Sequence, residues 1–324
     1  TQNDEQVPEA SAGLQRAVKG ATAADRAELE QAGQLLSRYV GLVEQARANN
    51  RQGFPVGAAY QREARQVASD VVASLRTVEE RTRARVDDST ARAYRASWLL
   101  VLSALVVLAL LAAGSWWLAS KWRRLVNVPL AAAGVLTLLV LTVGVAVNGR
   151  AVARAGDAVS GPLSAADLVA QARAAGFDAR SSEALTLINR GNGAAYEQQW
   201  QLSASVVEQA LEQACDQHGV GCATFVDHQA YADAHAQVRA LDEGGDWDGA
   251  VAAATDASGE VAQSFAAFAV QSGDELQVQS SSAQREFDAA DDSLPTLRLL
   301  VVLVGLAVAV LAAIGYGQRS REYR

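Results

Sequence analysis

The sequence contains no methionine, two cysteines, three histidines and five prolines in 324 residues, and aromatics make up only 6%. So few cysteines and histidines exclude a disulfide scaffold or a metal-rich protein. Scarce proline beside abundant alanine favours helix over sheet. Lysine occurs only at Lys19 and Lys121, and the net charge of −8 excludes a surface that tracks nucleic acid throughout. A hydrophobic share of 50% and a mean hydropathy of +0.04 exclude a disordered chain. Methionine is missing even at position 1. Because translation needs a start codon, the natural N-terminus is expected to have been removed.

What is present is unevenly spread. Ala96–Ser120, Leu125–Gly149 and Leu299–Gln318 contain no charged residue and run for 25, 25 and 20 residues. A helix rises about 1.5 Å per residue, so roughly 20 residues cross a ~30 Å hydrocarbon core. Trp98 stands at one end of the first run and Trp116, Trp117 and Trp122 at the other, as interfacial aromatics do. The expectation is an all-α membrane protein with three transmembrane helices and two extracytoplasmic helical-bundle domains.

The domain boundaries follow. Residues 1–95 form a helical hairpin domain, 96–120 a transmembrane helix, 121–124 a cytoplasmic turn and 125–149 a second transmembrane helix. Residues 150–297 form a four-helix bundle, 298–318 the third transmembrane helix and 319–324 a cytoplasmic tail. Three spans place the termini on opposite sides, so both polar regions share one face.

Basic residues alone do not choose that face, because six lie on the turn and tail and eight flank the spans opposite. Two other features do. Residues 151–293 carry 22 Asp/Glu against 6 Arg, a net of −16, whereas residues 1–97 carry 14 basic and 13 acidic groups, a net of +1. Cys215 and Cys222 flank the turn Asp216–Gly221. They stand either as free thiols or as a disulfide, and the disulfide needs an oxidising compartment. Both polar regions are therefore placed outside. An external N-terminus then implies a further hydrophobic helix before Thr1, which makes four spans in the intact protein.

Within 10–48 the apolar positions Leu29, Leu36 and Val43 repeat at sevens, with Ala32, Tyr39 and Ala46 between them. This narrow stripe suits an antiparallel hairpin. Asn49–Pro55 ends the helix. The next helix carries Val67, Val71, Ser74 and Val78 on one stripe and has no Pro or Gly from Ala58 to Gly114, so it runs into the first span. Two helices bury little, so a segment preceding Thr1 is expected to add another. In the second region, four helices are expected: Arg150–Arg190 broken at Gly161-Pro162 with Ser164 and Asp167 as a capping pair, Ala194 to about Gln217, about Asp227 to Leu241, and a long last helix with Val261, Phe265 and Phe268 inward. That last helix is expected to kink at Pro295 where it enters the third span. The turns Asn49–Gly57, Gly191–Gly193 and Glu243–Trp247 are expected to form one exposed crown away from the membrane, with the cysteine loop pointing back.

Catalytic chemistry finds no support. No glycine-rich phosphate loop follows a strand. His228 and His235 are seven apart, not four, and are read as solvated helix residues rather than metal ligands. Asp291-Asp292 reads as a solvated helix end. The spans hold no ionisable side chain, which argues against a transporter. No enzyme activity, cofactor, metal or nucleic-acid partner is expected. The external helices continue through the bilayer and almost nothing lies inside, so any signal must be read by a separate cytoplasmic protein.

The stretch Tyr39-Val40-Gly41-Leu42-Val43-Glu44-Gln45-Ala46-Arg47-Ala48-Asn49-Asn50-Arg51-Gln52-Gly53-Phe54-Pro55-Val56-Gly57-Ala58-Ala59-Tyr60 resembles a segment of the actinobacterial GlnX-type membrane signalling proteins, as does Gly245-Asp246-Trp247-Asp248-Gly249-Ala250-Val251-Ala252. The resemblance implies four spans, two external helical domains, and a relay from an aspartate/glutamate-binding lipoprotein outside to a serine/threonine kinase inside. This sequence departs from that layout by lacking the first span. Asn49, Asn50 and Arg51, with Trp247 as an aromatic anchor, are the candidate contacts to the external partner. Lys121, Arg123, Arg124, Arg319, Arg321 and Arg324 are candidate contacts to the kinase or to membrane lipids, and a homodimer is compatible with this layout. Two other functions fit the same architecture: direct sensing of a small molecule in a helical bundle, and a structural envelope protein.

Overall fold

A computed structural model describes residues 2–52, 56–122, 128–190, 192–292 and 294–321. Every regular element among them is helical: α1 (Gln2–Gly20), α2 (Ala23–Arg51), α3 (Val56–Trp122), α4 (Val128–Ala158), α5 (Ser164–Ile188), α6 (Ala194–His218), α7 (Cys222–Glu243), α8 (Trp247–Thr255), α9 (Glu260–Asp291) and α10 (Leu294–Arg321). A π-helical segment, Val159–Leu163, joins α4 to α5. The chain divides into two compact units, Thr1–Arg92 and Ala93–Arg324, and α3 contributes to both.

In the first unit, the single helix expected over 10–48 is broken after Gly20. Thr22 caps α2: its hydroxyl accepts from the Asp25 backbone N–H and donates to Asp25 Oδ2 at 2.7 Å. Helix propensity does not show this break, because alanines surround it and only the cap chemistry marks it. The third helix of this unit is thus α1, which packs on α2. α2 and α3 run antiparallel, with Leu42, Ala64 and Val67 buried against Leu35, Tyr39, Val43 and Tyr60. Ion pairs continue the same register, from Arg38–Glu63 through Arg81–Glu28 to Arg85–Asp25 at 2.6 Å. Asp25 is buried, and the Thr22 hydroxyl and Arg85 hold its carboxyl below its ordinary range despite the cost of burial.

In the second unit, Gly161-Pro162 does not interrupt the helix. Pro162 sits in the π segment, where the widened turn accommodates its ring and missing N–H. Ser164 and Asp167 therefore do not open a new helix, because Leu163 before them is already helical. α6 ends at Gly219, whose φ of 66° allows its N–H to reach the Cys215 carbonyl. Gly221 (φ 85°) then starts α7 at Cys222 rather than near Asp227. Cys215 and Cys222 form a disulfide across this turn.

The long last helix is three helices. Asp256 accepts at Oδ1 from the Ser258 N–H (2.9 Å) and hydroxyl (2.8 Å), and this turn separates α8 from α9. Among the described residues, the region expected to hold four helices therefore contains five, α5 to α9. Pro295 does not kink a continuous helix but lies in the first turn of α10, where its missing N–H costs nothing.

α4 packs against α10 and α9, and α5, α6, α7 and α9 enclose one aromatic core around Val207, Leu211, Tyr231, Phe265 and Phe268. Two helical stretches are long and apolar enough to cross a membrane, one within Val128–Ile188 and one within Trp247–Gly315, with windows of mean hydropathy 2.5 and 2.8. Val101–Trp117 is a shorter apolar helical segment. Leu99, Leu110, Val135, Val302 and Leu306 present large apolar side chains outward from these helices.

Candidate functional site

The expected contact residues occupy different parts of the chain. Asn49, Asn50 and Arg51 close α2 in the first unit, where the Asn49 side-chain amide donates to the Gln45 carbonyl at 2.8 Å and Asn50 and Arg51 are exposed. Trp247 opens α8 in the second unit. Its ring is half-buried; Nε1 donates to the Leu187 carbonyl at 3.0 Å and the Arg190 guanidinium lies 4.6 Å above the ring centroid. The turns preceding α6 and α8 thus meet, and the cysteine loop lies at the opposite end of α6 and α7. Lys121, Arg319 and Arg321 are in the last turns of α3 and α10. Arg123, Arg124 and Arg324, like Gly53, Phe54, Pro55 and Gly191 of the expected crown, lie outside the described residues.

The densest polar chemistry is elsewhere, inside the second unit. On α5, Arg180 and Glu183 are three residues apart; on α6, Glu197 and Trp200; on α7, Tyr231, His235 and Arg239 repeat at fours. These spacings put each set on one helix face, and the three faces converge. Glu183 and His235 are only 1% and 2% exposed. Glu183 Oε1 accepts from Arg180, and its Oε2 lies 2.9 Å from His235 Nδ1 and accepts from the Tyr231 hydroxyl at 3.2 Å. His235 Nε2 faces Glu197 Oε2 at 3.3 Å, and Arg239 Nε approaches the same oxygen at 3.1 Å. Trp200 donates from Nε1 to the Tyr231 hydroxyl at 3.2 Å and stacks flat on the His235 ring, centroids 3.8 Å apart.

Burial pulls the His235 pKa down, but hydrogen bonds and charge from Glu183 and Glu197 outweigh it and hold the imidazole above its ordinary value. Burial pushes Glu197 up, and His235 with Arg239 more than reverses this, leaving it below the usual range. Both ring nitrogens face carboxylates, an arrangement in which the imidazolium form donates twice. His228 is the opposite case. It is fully buried against Tyr231 and Phe268, neither ring nitrogen has a hydrogen-bond partner among the described residues, and burial pushes it down to about 4.

These two histidines correct the reading of solvated helix residues. The four-residue spacing of Tyr231, His235 and Arg239 was visible in the sequence. Their partners Glu183 and Glu197 were not, because those lie on other helices.

Beside this network, between α5 and α8, opens a cleft of about 540 Å³. Leu187, Ile188, Val251 and Ala254 supply apolar walls, Trp247 an aromatic one, and Arg180 and Ser181 polar groups. Arg180 is fixed there: Nη1 donates to Glu183, Nη2 to the Ala254 carbonyl at 3.0 Å, and its guanidinium lies 5.8 Å from the Phe265 centroid.

All-α architecture with long apolar helices and a buried charged network defines a helical protein with the means to reach a membrane. Residues 2–91 match the family model of an actinobacterial sensor domain. The matched span coincides with the first compact unit, Thr1–Arg92. No curated protein and no solved structure matches the chain. The match, confined to the first unit, supports a sensing or signalling role.

Proposed function

We propose that this protein is a non-enzymatic transmembrane signal relay that couples an external aspartate/glutamate-binding lipoprotein to a cytoplasmic serine/threonine kinase. One observation carries the reading. The sensor-domain match ends at residue 91 within α3, and the same helix continues into the apolar segment Val101–Trp117. A sensor domain whose last helix becomes apolar has a direct mechanical route to a bilayer, along which a small shift or rotation travels. In this reading three apolar helices span the membrane and both polar regions lie outside. The Cys215–Cys222 disulfide agrees with an oxidising exterior. Asn49, Asn50, Arg51 and Trp247 serve the external partner, and the basic turn and tail serve the kinase and lipid headgroups.

The test is photo-crosslinking in intact cells from the full-length protein. A crosslinker at Asn50, Arg51 or Trp247 is expected to capture a solute-binding lipoprotein, and one at Lys121 or Arg319 a kinase. Capture of neither overturns the relay. Thiol labelling of reduced Cys215 and Cys222 checks the topology, since labelling only after lysis inverts it. A second reading, direct sensing of a small molecule, is favoured by the cleft at Arg180.

A further inference from the structure

We propose that the cleft between α5 and α8 is a binding site for a small apolar monocarboxylate, with Arg180 as its charge anchor and Trp247 as its wall. This inference stands independently of the relay, because the cleft lies wholly within the second unit.

The size comes first. About 540 Å³ falls within the range of small-molecule sites, which are mostly apolar with a few placed polar groups. The lining has that composition: aliphatic side chains, one indole and one guanidinium.

Both recognition groups are held by bonds to residues around the cleft. Arg180 spends two N–H groups, on Glu183 and on the Ala254 carbonyl, and rests on the Phe265 ring. A guanidinium carries five donors, so the rest remain for a ligand. Trp247 is fixed by the Leu187 carbonyl and by Arg190. Such preorganisation lowers the ordering cost of binding.

The charge pattern selects the ligand. Glu183 also lines the cleft, but Oε1 is taken by Arg180 and Oε2 by Tyr231 and His235. Both of its oxygens are therefore engaged, and the described lining holds no further carboxylate to pair with a ligand ammonium. Arg180, already paired with Glu183, is the single cation among the described lining residues, so a second ligand carboxylate would be set unpaired against apolar walls. Free aspartate and glutamate, with two carboxylates and an ammonium, are thereby disfavoured. An aliphatic or aromatic acid with one carboxylate matches the guanidinium donors and the apolar walls. α5 continues through the π segment into apolar α4, so a ligand clasped between α5 and α8 bears on a helix of membrane-compatible length.

The test is calorimetry and tryptophan fluorescence on the full chain in lipid nanodiscs, with phenylacetate, phenylacetamide and glutamate as probes. Phenylacetate is expected to bind saturably, phenylacetamide about tenfold more weakly because the charge-assisted hydrogen bond is lost, and glutamate not at all. Arg180→Gln should bring phenylacetate down to the level of the amide. Because Arg180 also supports the buried network, Ala184→Phe provides the second variant: Ala184 lines the cleft and is exposed, so the new ring occupies the site without removing any hydrogen-bonding group of the network. It should abolish binding and leave the melting temperature unchanged. Equal binding of acid and amide, persistence of binding in Ala184→Phe, or no saturation by phenylacetate up to ~10 mM overturns the proposal.

Discussion

The imidazole of His235 is tied to the carboxylate of Glu183 at 2.9 Å in a setting where both residues are almost wholly excluded from solvent. The two come from α7 and α5, 52 positions apart in the chain. A charged pair so deeply placed is held by its hydrogen bonds rather than by Coulomb attraction alone, because desolvating the ions costs several kcal/mol each.

The second unit should therefore be most stable in mildly acidic to neutral solution. His235 has a raised folded-state pKa, so its contribution is fully present below the unfolded value of about 6.5 and is lost as pH rises through the higher folded value. His228 acts on the other side. Its folded-state value is pushed down to about 4, so stability falls as pH drops from about 6.5 towards 4. Glu197 adds to this acid loss below its ordinary value of 4.5. Melting temperature against pH should be flatter on its alkaline side in His235→Gln and on its acid side in His228→Leu. His228→Leu should also gain about 1 kcal/mol at neutral pH, since an unpartnered buried polar group is replaced by an apolar one of similar size.

Removing Glu183 should be the most damaging single change in this unit. Glu183→Ala leaves His235 and Arg180 without their shared anion, and breaking a buried pair from one side costs about 3–5 kcal/mol. Chemical denaturation followed by the near-ultraviolet signal of Trp200, stacked on His235, is the measurement. A loss below about 1 kcal/mol, the scale of an exposed pair, would show that the network is solvated.

Gly176 fixes how closely α5 approaches α9. A Cβ there would lie 2.5 Å from Phe268 Cζ, and Phe268 is fully buried. Gly176→Ala should cost about 1–3 kcal/mol through overpacking, despite the better helix propensity of alanine. The paired change Gly176→Ala with Phe268→Leu should recover part of that loss.

The Cys215–Cys222 disulfide closes a short loop with a sequence separation of 7. Loop-closure entropy gives it about 2.5 kcal/mol. Reductant, or Cys215→Ser with Cys222→Ser, should lower the unfolding free energy by about that amount and leave the helical signal intact, because Gly219 and Gly221 still turn the chain.

The sequence by itself determined what depends on neighbours along the chain. Alanine-rich, proline-poor composition fixed helix as the element type, and uncharged runs fixed where the long apolar helices lie. The stripe of Val67, Val71, Ser74 and Val78 already marked the inward side of α3. Where reading failed locally, a competing local rule decided: Thr22 capping split α1 from α2, Asp256 with Ser258 split α8 from α9, and a π turn absorbed Pro162. Only the tertiary structure could decide the site. Glu183, Glu197 and His235 look in the sequence like solvated helix charges, because a side chain's pKa and partners are set by which other helix faces it. The same is true of Arg180 and Trp247, which come from α5 and α8 and share a wall only once the helices have packed.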